Sequence, residues 1–451
     1  MQRAIKNAKK HRQNMKLLRH KKMKQFFAIY IVSVGLTYAQ TDTVYSMKYI
    51  NRSTKFAQLT IGGDLLFLNS GETDFAKNGL TRNIAYGNTA IPRLSIGGLH
   101  FWGHADFYVS FPLSFLAISN RSADVKDVVN LEKIETGARV YPWKIKPNSI
   151  RPFVGISFRL KEFSLGPNST DYVHGYPLFQ KMTNPIQVGV TYASKKHLIS
   201  VSAYHNRLEQ REIHVTPTQI GMTTFQPWSV NVSVTRYLDI DRHARSKQSV
   251  RAMNQMDSLL RKEKKMSAWY WGIGPSAGLQ MSQSEFLKEN YPYLFNDHAS
   301  GIMPDVTFGR FFEKPDLNIG LSYRTLGSTL QGFDTQIRLR RHSFMIEAYK
   351  NLFNYLGFVP FVGFTGSIEN LTTTVNGFAY SETKPAVGVI FGWDIRVTKT
   401  GTSLLRTNLR WIPDLYMTID GKKMMFNQLE FNFIQWVQFI GRKKVYQKYS
   451  Y

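Results

Sequence analysis

Residues 387–396 read VGVIFGWDIR, residues 403–411 read SLLRTNLRW, and residues 428–433 read QLEFNF. Each stretch alternates apolar and polar. In the first, Val387, Val389, Phe391, Trp393 and Ile395 share one face, opposite Gly388, Gly392, Asp394 and Arg396. In the second, Leu405, Thr407, Leu409 and Trp411 oppose Arg406, Asn408 and Arg410. In the third, Leu429, Phe431 and Phe433 oppose Gln428, Glu430 and Asn432. Side chains of a strand switch faces at every residue, so each stretch is a strand with one greasy and one charged face. A soluble sandwich buries the greasy face. A membrane barrel turns it to lipid and keeps the charges in its lumen.

The start of the chain decides between these. Residues 23–40 read MKQFFAIYIVSVGLTYAQ, a basic start followed by an apolar run and a small-residue end. That is the layout of a secretory signal peptide, with cleavage between Ala39 and Gln40. Residues 1–22 carry nine Lys/Arg and no acid. This basic extension reads as lying upstream of the true start at Met23, rather than as a nucleic-acid-binding arm. Without the ten basic residues of 1–24, the 58 basic and 31 acidic residues leave a surplus of +17. In an exported chain the acidic partners of such a surplus are outer-membrane lipid, lipopolysaccharide and other envelope polymers, not nucleic acid.

With no cysteine, disulfides and thiolate metal sites are excluded. After the signal no apolar run is long enough for a spanning helix. A mean hydropathy of −0.28 does not argue against a barrel, because half of each barrel strand is polar. The alternation recurs about sixteen times between residues 56 and 440, which predicts an all-β fold: a transmembrane antiparallel β-barrel of about 16 strands, with 14 also possible. If the first strand runs outward, connections after odd strands are long and those after even strands are tight. That alternation fits outer loops and periplasmic turns. Trp102, Trp143, Trp228, Trp269, Trp271, Trp411 and Trp436 fall near predicted strand ends, where the headgroup zone favours tryptophan, and Trp393 falls mid-strand.

The tight-turn side has one long exception, residues 241–267. Val250, Met253, Met256 and Leu260 recur there at near-helical spacing, which predicts a short periplasmic helical insertion. Its apolar face is a possible docking surface for a periplasmic or outer-membrane partner. The expected organisation is a basic extension (1–22), a signal peptide (23–39), a periplasmic segment (40–55), a barrel (56–440) interrupted at 241–267, and a basic tail (441–451).

The region from Pro360-Phe361-Val362-Gly363 through Lys384–Gly388, Trp393–Arg396 and Phe426–Phe433 resembles the end of outer-membrane β-barrel proteins of the Bacteroidota. The signal peptide followed by Gln40 is similar to theirs too. The resemblance covers about a third of the chain by sequence and implies fold and location, an integral protein of the cell outer membrane.

Candidate chemistry is sparse. Asp171 with His174, and Asp297 with His298, sit on long connections where a barrel hydrolase would place acid–base groups. His100, His104 and Asp106 gather near a tight turn, but two histidines across a hairpin do not share the face that a metal needs. No catalytic, cofactor or metal site is expected. The stronger cluster is the set of inward charges Asp394, Arg396, Arg406, Arg410 and Glu430, joined by Arg338 and Arg340 if the strand 333–349 slips at Arg341–Ser343. Such charges either pair into a plug or line a wet pore. The expected function is a non-enzymatic scaffold or subunit of an envelope complex. A porin-like channel for small anionic solutes is the alternative, and an outer-membrane hydrolase the second.

Overall fold

The computed structural model describes residues 58–119, 127–168, 170–238, 247–294, 300–354, 358–396 and 401–448. The basic extension, the signal peptide, the segment 40–55, Asp297 and His298 lie outside the described residues. In chain order the first half contains β1 (Gln58–Leu68), β2 (Gly71–Lys77), β3 (Leu80–Tyr86), β4 (Thr89–His100), β5 (Ala105–Pro112), β6 (Ile118–Ser119), β7 (Val128–Val140) and β8 (Ser149–Leu165). It continues with β9 (Phe179–Thr183), β10 (Ile186–Ala193), β11 (His197–His205), β12 (Gln210–His214), β13 (Ile220–Thr224) and β14 (Trp228–Tyr237), then helix α1 (Lys247–Lys262). The second half holds β15 (Ala268–Gln280), helix α2 (Glu285–Asn290), β16 (Ser300–Phe312), β17 (Leu317–Gly332), β18 (Thr335–Asn351), β19 (Phe358–Val375) and β20 (Phe378–Arg396). It ends with β21 (Ser403–Trp411), β22 (Tyr416–Ile419), β23 (Lys422–Met425), β24 (Gln428–Phe439) and helix α3 (Arg442–Lys448).

The all-β barrel class expected from the alternation holds, and every wall pairing is antiparallel. The single cylinder does not. The wall strands close twice. In the first ring β1 pairs with β4 on one side and with β14 on the other, as in Gly63↔Leu94 and Gly63↔Val234. The remaining members are β5, β7, β8, β10 and β11. The second ring is β15-β16-β17-β18-β19-β20-β21-β24. Sixteen wall strands therefore build two barrels of eight. The break falls at α1, between β14 and β15. A tight turn forces the next strand to pair with the last one, whereas a helical linker frees it to begin a new sheet.

Outward faces carry the greasy sets. Val188, Val190, Val201, Val230, Val232 and Val234 are exposed on the first barrel, and Leu321, Phe344, Ile346, Phe364 and Val389 on the second. Three long-side turns, Asn78-Gly79, Asn376-Gly377 and Asp420-Gly421, have positive φ at both residues, the two-residue hairpin geometry that matches strand twist. Backbones approach closely at Gly62, where an added Cβ would lie 2.0 Å from the Val234 carbonyl oxygen.

The long-loop mouths are capped. Over the first barrel, β2, β3, β12 and β13 form a small sheet whose Phe75, Ile84 and Ile213 pack with Phe163, Phe179 and Phe225. Over the second, Phe286 and Leu287 of α2 and Met417 and Met424 of β22-β23 pack onto Ile337 and Leu371 of the wall.

The barrels touch at two heights among the described residues. At the long-loop end, Phe333, the tip between β17 and β18, enters the cap of the first barrel beside Tyr172 and Tyr176. Its N–H donates to Gly175 O at 2.8 Å, and its carbonyl accepts from His174 N at 3.0 Å. In mid-wall, Phe111 meets Phe433 edge-on with ring centroids 5.0 Å apart. At the tight-turn end α1 packs against the second barrel, through Asp257 to Arg396 and Arg261 to Glu313. Phe333 is 1% exposed, so Phe333→Ala is expected to cost about 3–5 kcal/mol and to lower the temperature at which the folded gel band converts to the unfolded one. In this cysteine-free chain, the Phe111→Cys/Phe433→Cys variant is expected to cross-link under oxidation or with a short bifunctional reagent. Failure of both routes would mean that the two walls do not meet.

Candidate functional site: two filled lumens and the wall between them

An eight-stranded barrel is just wide enough for its inward side chains to fill it, so the inward charges of this chain face one another. In the first barrel Glu135 of β7 is the hub. It accepts from Arg93 Nη1 at 2.5 Å, Tyr108 Oη at 2.5 Å and Tyr204 Oη at 3.2 Å, and forms an ion pair with Arg159 at 2.9 Å. Arg93 also pairs with Asp64, which accepts from Ser110 at 2.8 Å. Arg139 pairs with Asp106 at 3.3 Å and lies over the Tyr108 ring at 4.3 Å. Lys161 lies 3.9 Å from Glu132. Four cations thus meet four carboxylates. The strand β7 needs a register shift between Glu132 and Glu135 to turn both carboxylates inward.

The second lumen holds a longer chain of charge. Arg324 bonds Glu430, reaches Glu347 at 2.8 Å and lies 3.5 Å from Asp305. Arg341 bonds Glu369 at 2.8 Å and Glu430 at 2.7 Å. Arg410 donates to Asp305 at 2.6 Å and is ion-paired with Glu347 at 2.7 Å. Arg406 holds Asp394 in a two-pronged pair at 2.8 and 2.9 Å, between Tyr270 and Tyr349. Four guanidiniums face five carboxylates, all nearly free of solvent contact. Planar guanidinium forks suit this two-pronged pairing.

Of the residues predicted from sequence, Asp394, Arg406, Arg410 and Glu430 lie together in the second lumen. Arg396 is inward but lower, closing the tight-turn mouth through Asp257 of α1 at 2.7 Å. Arg338 and Arg340 are corrected: both stand exposed on the outer wall. The expected slip at Arg341–Ser343 does not occur, because β18 keeps an unbroken ladder with both neighbours. Continuous alternation turns Ile337, Leu339 and Arg341 inward instead. Arg324, Arg341, Asp305, Glu347 and Glu369, and the first-barrel set apart from Asp106, are not singled out by the sequence reading. For Arg324, Asp305 and Glu347 the signal is present in the alternation, since each lies between outward neighbours that are exposed or partly exposed.

The helical insertion is corrected in part. Met256 and Leu260 are buried against Val445 of α3, with Leu259, Met266 and Tyr446 around them. The C-terminal helix therefore occupies the apolar face that was expected to await a partner. The side chains of Val250 and Met253 lie outside the described residues. The tail expected at 441–451 is helical over Arg442–Lys448. Arg442 donates to the carbonyls of Gly401 at 2.8 Å and Met266 at 2.5 Å. Burial, and then the neighbouring Arg396, push its pKa down to about 9, so it remains charged at neutral pH.

Between the barrels lies a cavity of about 140 Å³. Ile96, Phe107 and Val109 line one side, and Trp393, Leu405 and Phe433 the other. The three strands with the clearest alternation thus turn part of their greasy face to the first barrel rather than to lipid. His100 projects into the same crevice, while Asp106 points into the lumen and His104 bonds Tyr141 O at 3.1 Å. These three do not converge, and no metal-holding cluster occurs among the described residues. Asp171 accepts from Asn78 N at 2.5 Å, and no hydrogen bond to His174 is found among the described residues.

No family model matches this chain, and no curated protein matches it. Among solved structures it is similar to the Neisserial surface protein NspA, at 18% identity and a TM-score of 0.28, over 38% of this chain and 96% of that one. It is also similar to Ail, the attachment invasion locus protein of Yersinia pestis, at 9% identity and a TM-score of 0.25, over 38% and 97%. An outer membrane channel from Pseudomonas putida F1 aligns over 87% of this chain and 100% of its own, at 6% identity and a TM-score of 0.21. With TM-scores this low these likenesses add no weight. The fold rests on the chain's own strand pairing.

Arg410 is the most exacting test of the filled lumen. Arg410→Met leaves Asp305 and Glu347 each short of a cation and is expected to cost about 3–5 kcal/mol. Lys443→Gln, exposed on α3, is expected to stay within about 0.5 kcal/mol of the parent. Denaturant unfolding in detergent reads both, and equal midpoints for the two would refute the network.

Proposed function

We propose that this chain is an integral outer-membrane protein whose role is structural rather than catalytic: a double-barrel scaffold within an envelope complex. The single observation that carries this is the filling of both lumens. Each is packed by paired charges at mid-height and closed by an apolar cap at the long-loop mouth. A pore for anions needs unpaired cations facing water, and here the inward cations are each matched by carboxylates. The exposed apolar bands of both barrels support insertion in a bilayer.

The tight-turn end supplies a surface for a partner. Arg261, Lys262, Lys443, Lys444 and Lys448 stand exposed on α1 and α3, and their clustering suits an acidic periplasmic protein domain. Electrostatic complementarity of this kind sets encounter rate and specificity.

Two measurements test the reading. In planar bilayers the purified protein is expected to give no steady conductance steps. Large steady steps would overturn the scaffold in favour of a channel. Affinity purification from native membranes is expected to bring down a stoichiometric partner that Lys443→Glu/Lys444→Glu loses. Retention of that partner by the charge-reversed variant would remove the helix pair from the interface.

A further inference from the structure

The two lumens are close to electrically balanced, so the positive surplus of the chain lies on its outside. One place where it gathers is the outer wall of β18. Its outward residues run Arg338, Arg340, His342, Phe344, Ile346, Ala348 and Lys350 from the long-loop end to the tight-turn end. The ladder registers show that the boundary between polar and apolar is shared by neighbouring strands. The Phe344 rung continues into Tyr323 of β17, Ile368 of β19 and Pro385 of β20. One outward rung higher, His342 continues into Thr325, Asn370 and Thr383. Above that, Arg340 lies opposite Gly327 and Thr372, and Arg338 opposite Thr329 and Thr374.

The spacing fits a bilayer. Ten residues separate Arg340 from Lys350, about 33 Å along a strand, which a tilt of about 40° reduces to the roughly 25 Å height of an apolar band. The two basic ends of this face therefore stand at the two headgroup levels. Between them Phe344, Ile346, Phe364 and Ile368 are exposed to hydrocarbon.

Arg338 and Arg340 are exposed, and among the described residues neither makes an ion pair. Arg338 Nε has only Gln336 Oε1 at 3.1 Å. Next to Arg340, an added Cβ on Gly327 would meet nothing within 4 Å, so there is open space beside the guanidinium. His342 Nδ1 is tied to Tyr323 Oη at 2.9 Å, which fixes the floor of the patch at the apolar boundary.

We infer that this wall binds the phosphate groups of the phosphorylated glycolipid of the outer leaflet. Arg338 and Arg340 supply charge-assisted hydrogen bonds to phosphate oxygens, and the hydroxyl and amide groups of Thr372, Thr374 and Asn370 face the sugars. The acyl chains lie along Phe344, Ile346 and Ile368. Two arginines about 7 Å apart on one strand face can grip one headgroup from two sides. The long-loop side of a barrel faces outward, which selects the outer leaflet. The inference rests on the outer-membrane reading but not on the scaffold role.

The test starts from protein purified from native outer membranes in mild detergent. Mass spectrometry measures phosphorylated glycolipid carried per chain, and heat-modifiable gel migration confirms folding. The parent is expected to retain glycolipid, and Arg338→Gln/Arg340→Gln to retain at least about tenfold less, since each lost charge-assisted contact is worth about a factor of ten. Lys350→Gln, at the other end of the same strand, is expected to match the parent. Equal retention by all three folded proteins overturns the inference while leaving the membrane reading intact. Absence of the parent from the outer-membrane fraction overturns both. As a second readout, liposomes containing purified lipid A are expected to restore the difference between parent and double variant, and liposomes containing phosphatidylglycerol are not. An equal response to both lipids overturns the assignment to glycolipid.

Discussion

An eight-stranded cylinder has no room for water to hydrate buried charges one at a time. Every inward guanidinium must find its carboxylate within the same cross-section, or carry a desolvation penalty of several kcal/mol. That constraint shapes both halves of this chain, and the two halves meet it differently. The first barrel gathers charge around one hub, Glu135, clasped by two arginines and two tyrosine hydroxyls. The second strings Arg341, Glu430, Arg324, Glu347 and Arg410 into a continuous chain across the lumen. A register shift at Glu132/Glu135 lets β7 turn both carboxylates inward, which strict alternation would forbid, and one at Arg406/Asn408 lets β24 turn in both Asn432 and Gln435.

Once each barrel is sealed, the interactions that matter between them are external. The barrels are coupled at the long-loop rim and along the wall. Phe333 is sunk in the cap of its neighbour. Phe111 and Phe433 meet at mid-wall. At the opposite rim α1 and α3 pack together, with Arg396 to Asp257 and Arg442 to Met266 tying them to the second barrel. A joint held at two heights resists rocking in a way that a linker alone cannot. It also explains why Leu405, Thr407 and Phe433 are half or fully buried on a face that would otherwise meet lipid.

The charge of the chain takes its meaning from this arrangement. Read from composition, a strong basic surplus fits an anion-selective pore as well as an anionic surface. With the lumens balanced, the surplus belongs to the rims and outer walls, where phosphate groups and acidic protein surfaces are the available partners. Arg338 and Arg340 change role entirely: as inward residues they would be part of a plug, and as outward residues they stand at headgroup height.

Alternation in stretches such as 387–396 and 403–411 was enough to establish strands, their inward and outward faces, and the order of long and short connections. It also placed Asp394, Arg406, Arg410 and Glu430 in a lumen, because a period of two is a local property of the backbone. It failed at Arg338 and Arg340 for the same local reason: an assumed slip of one residue inverts a strand, and nothing within the strand reports whether its neighbours allow it. The ladder of β18 with β17 and β19 decides that. Ring closure is less local still. Whether β14 returns to β1 or passes on to β15 depends on pairing between residues more than 160 positions apart. The one trace of it in the sequence is the helical break at 241–267, which read equally well as a docking element. Sequence alone therefore determined which residues face in and which face out, since that follows from backbone geometry. Only the tertiary structure decided what they face, two narrow balanced lumens and a shared wall, since strand closure is a contest between distant hydrogen-bonding edges.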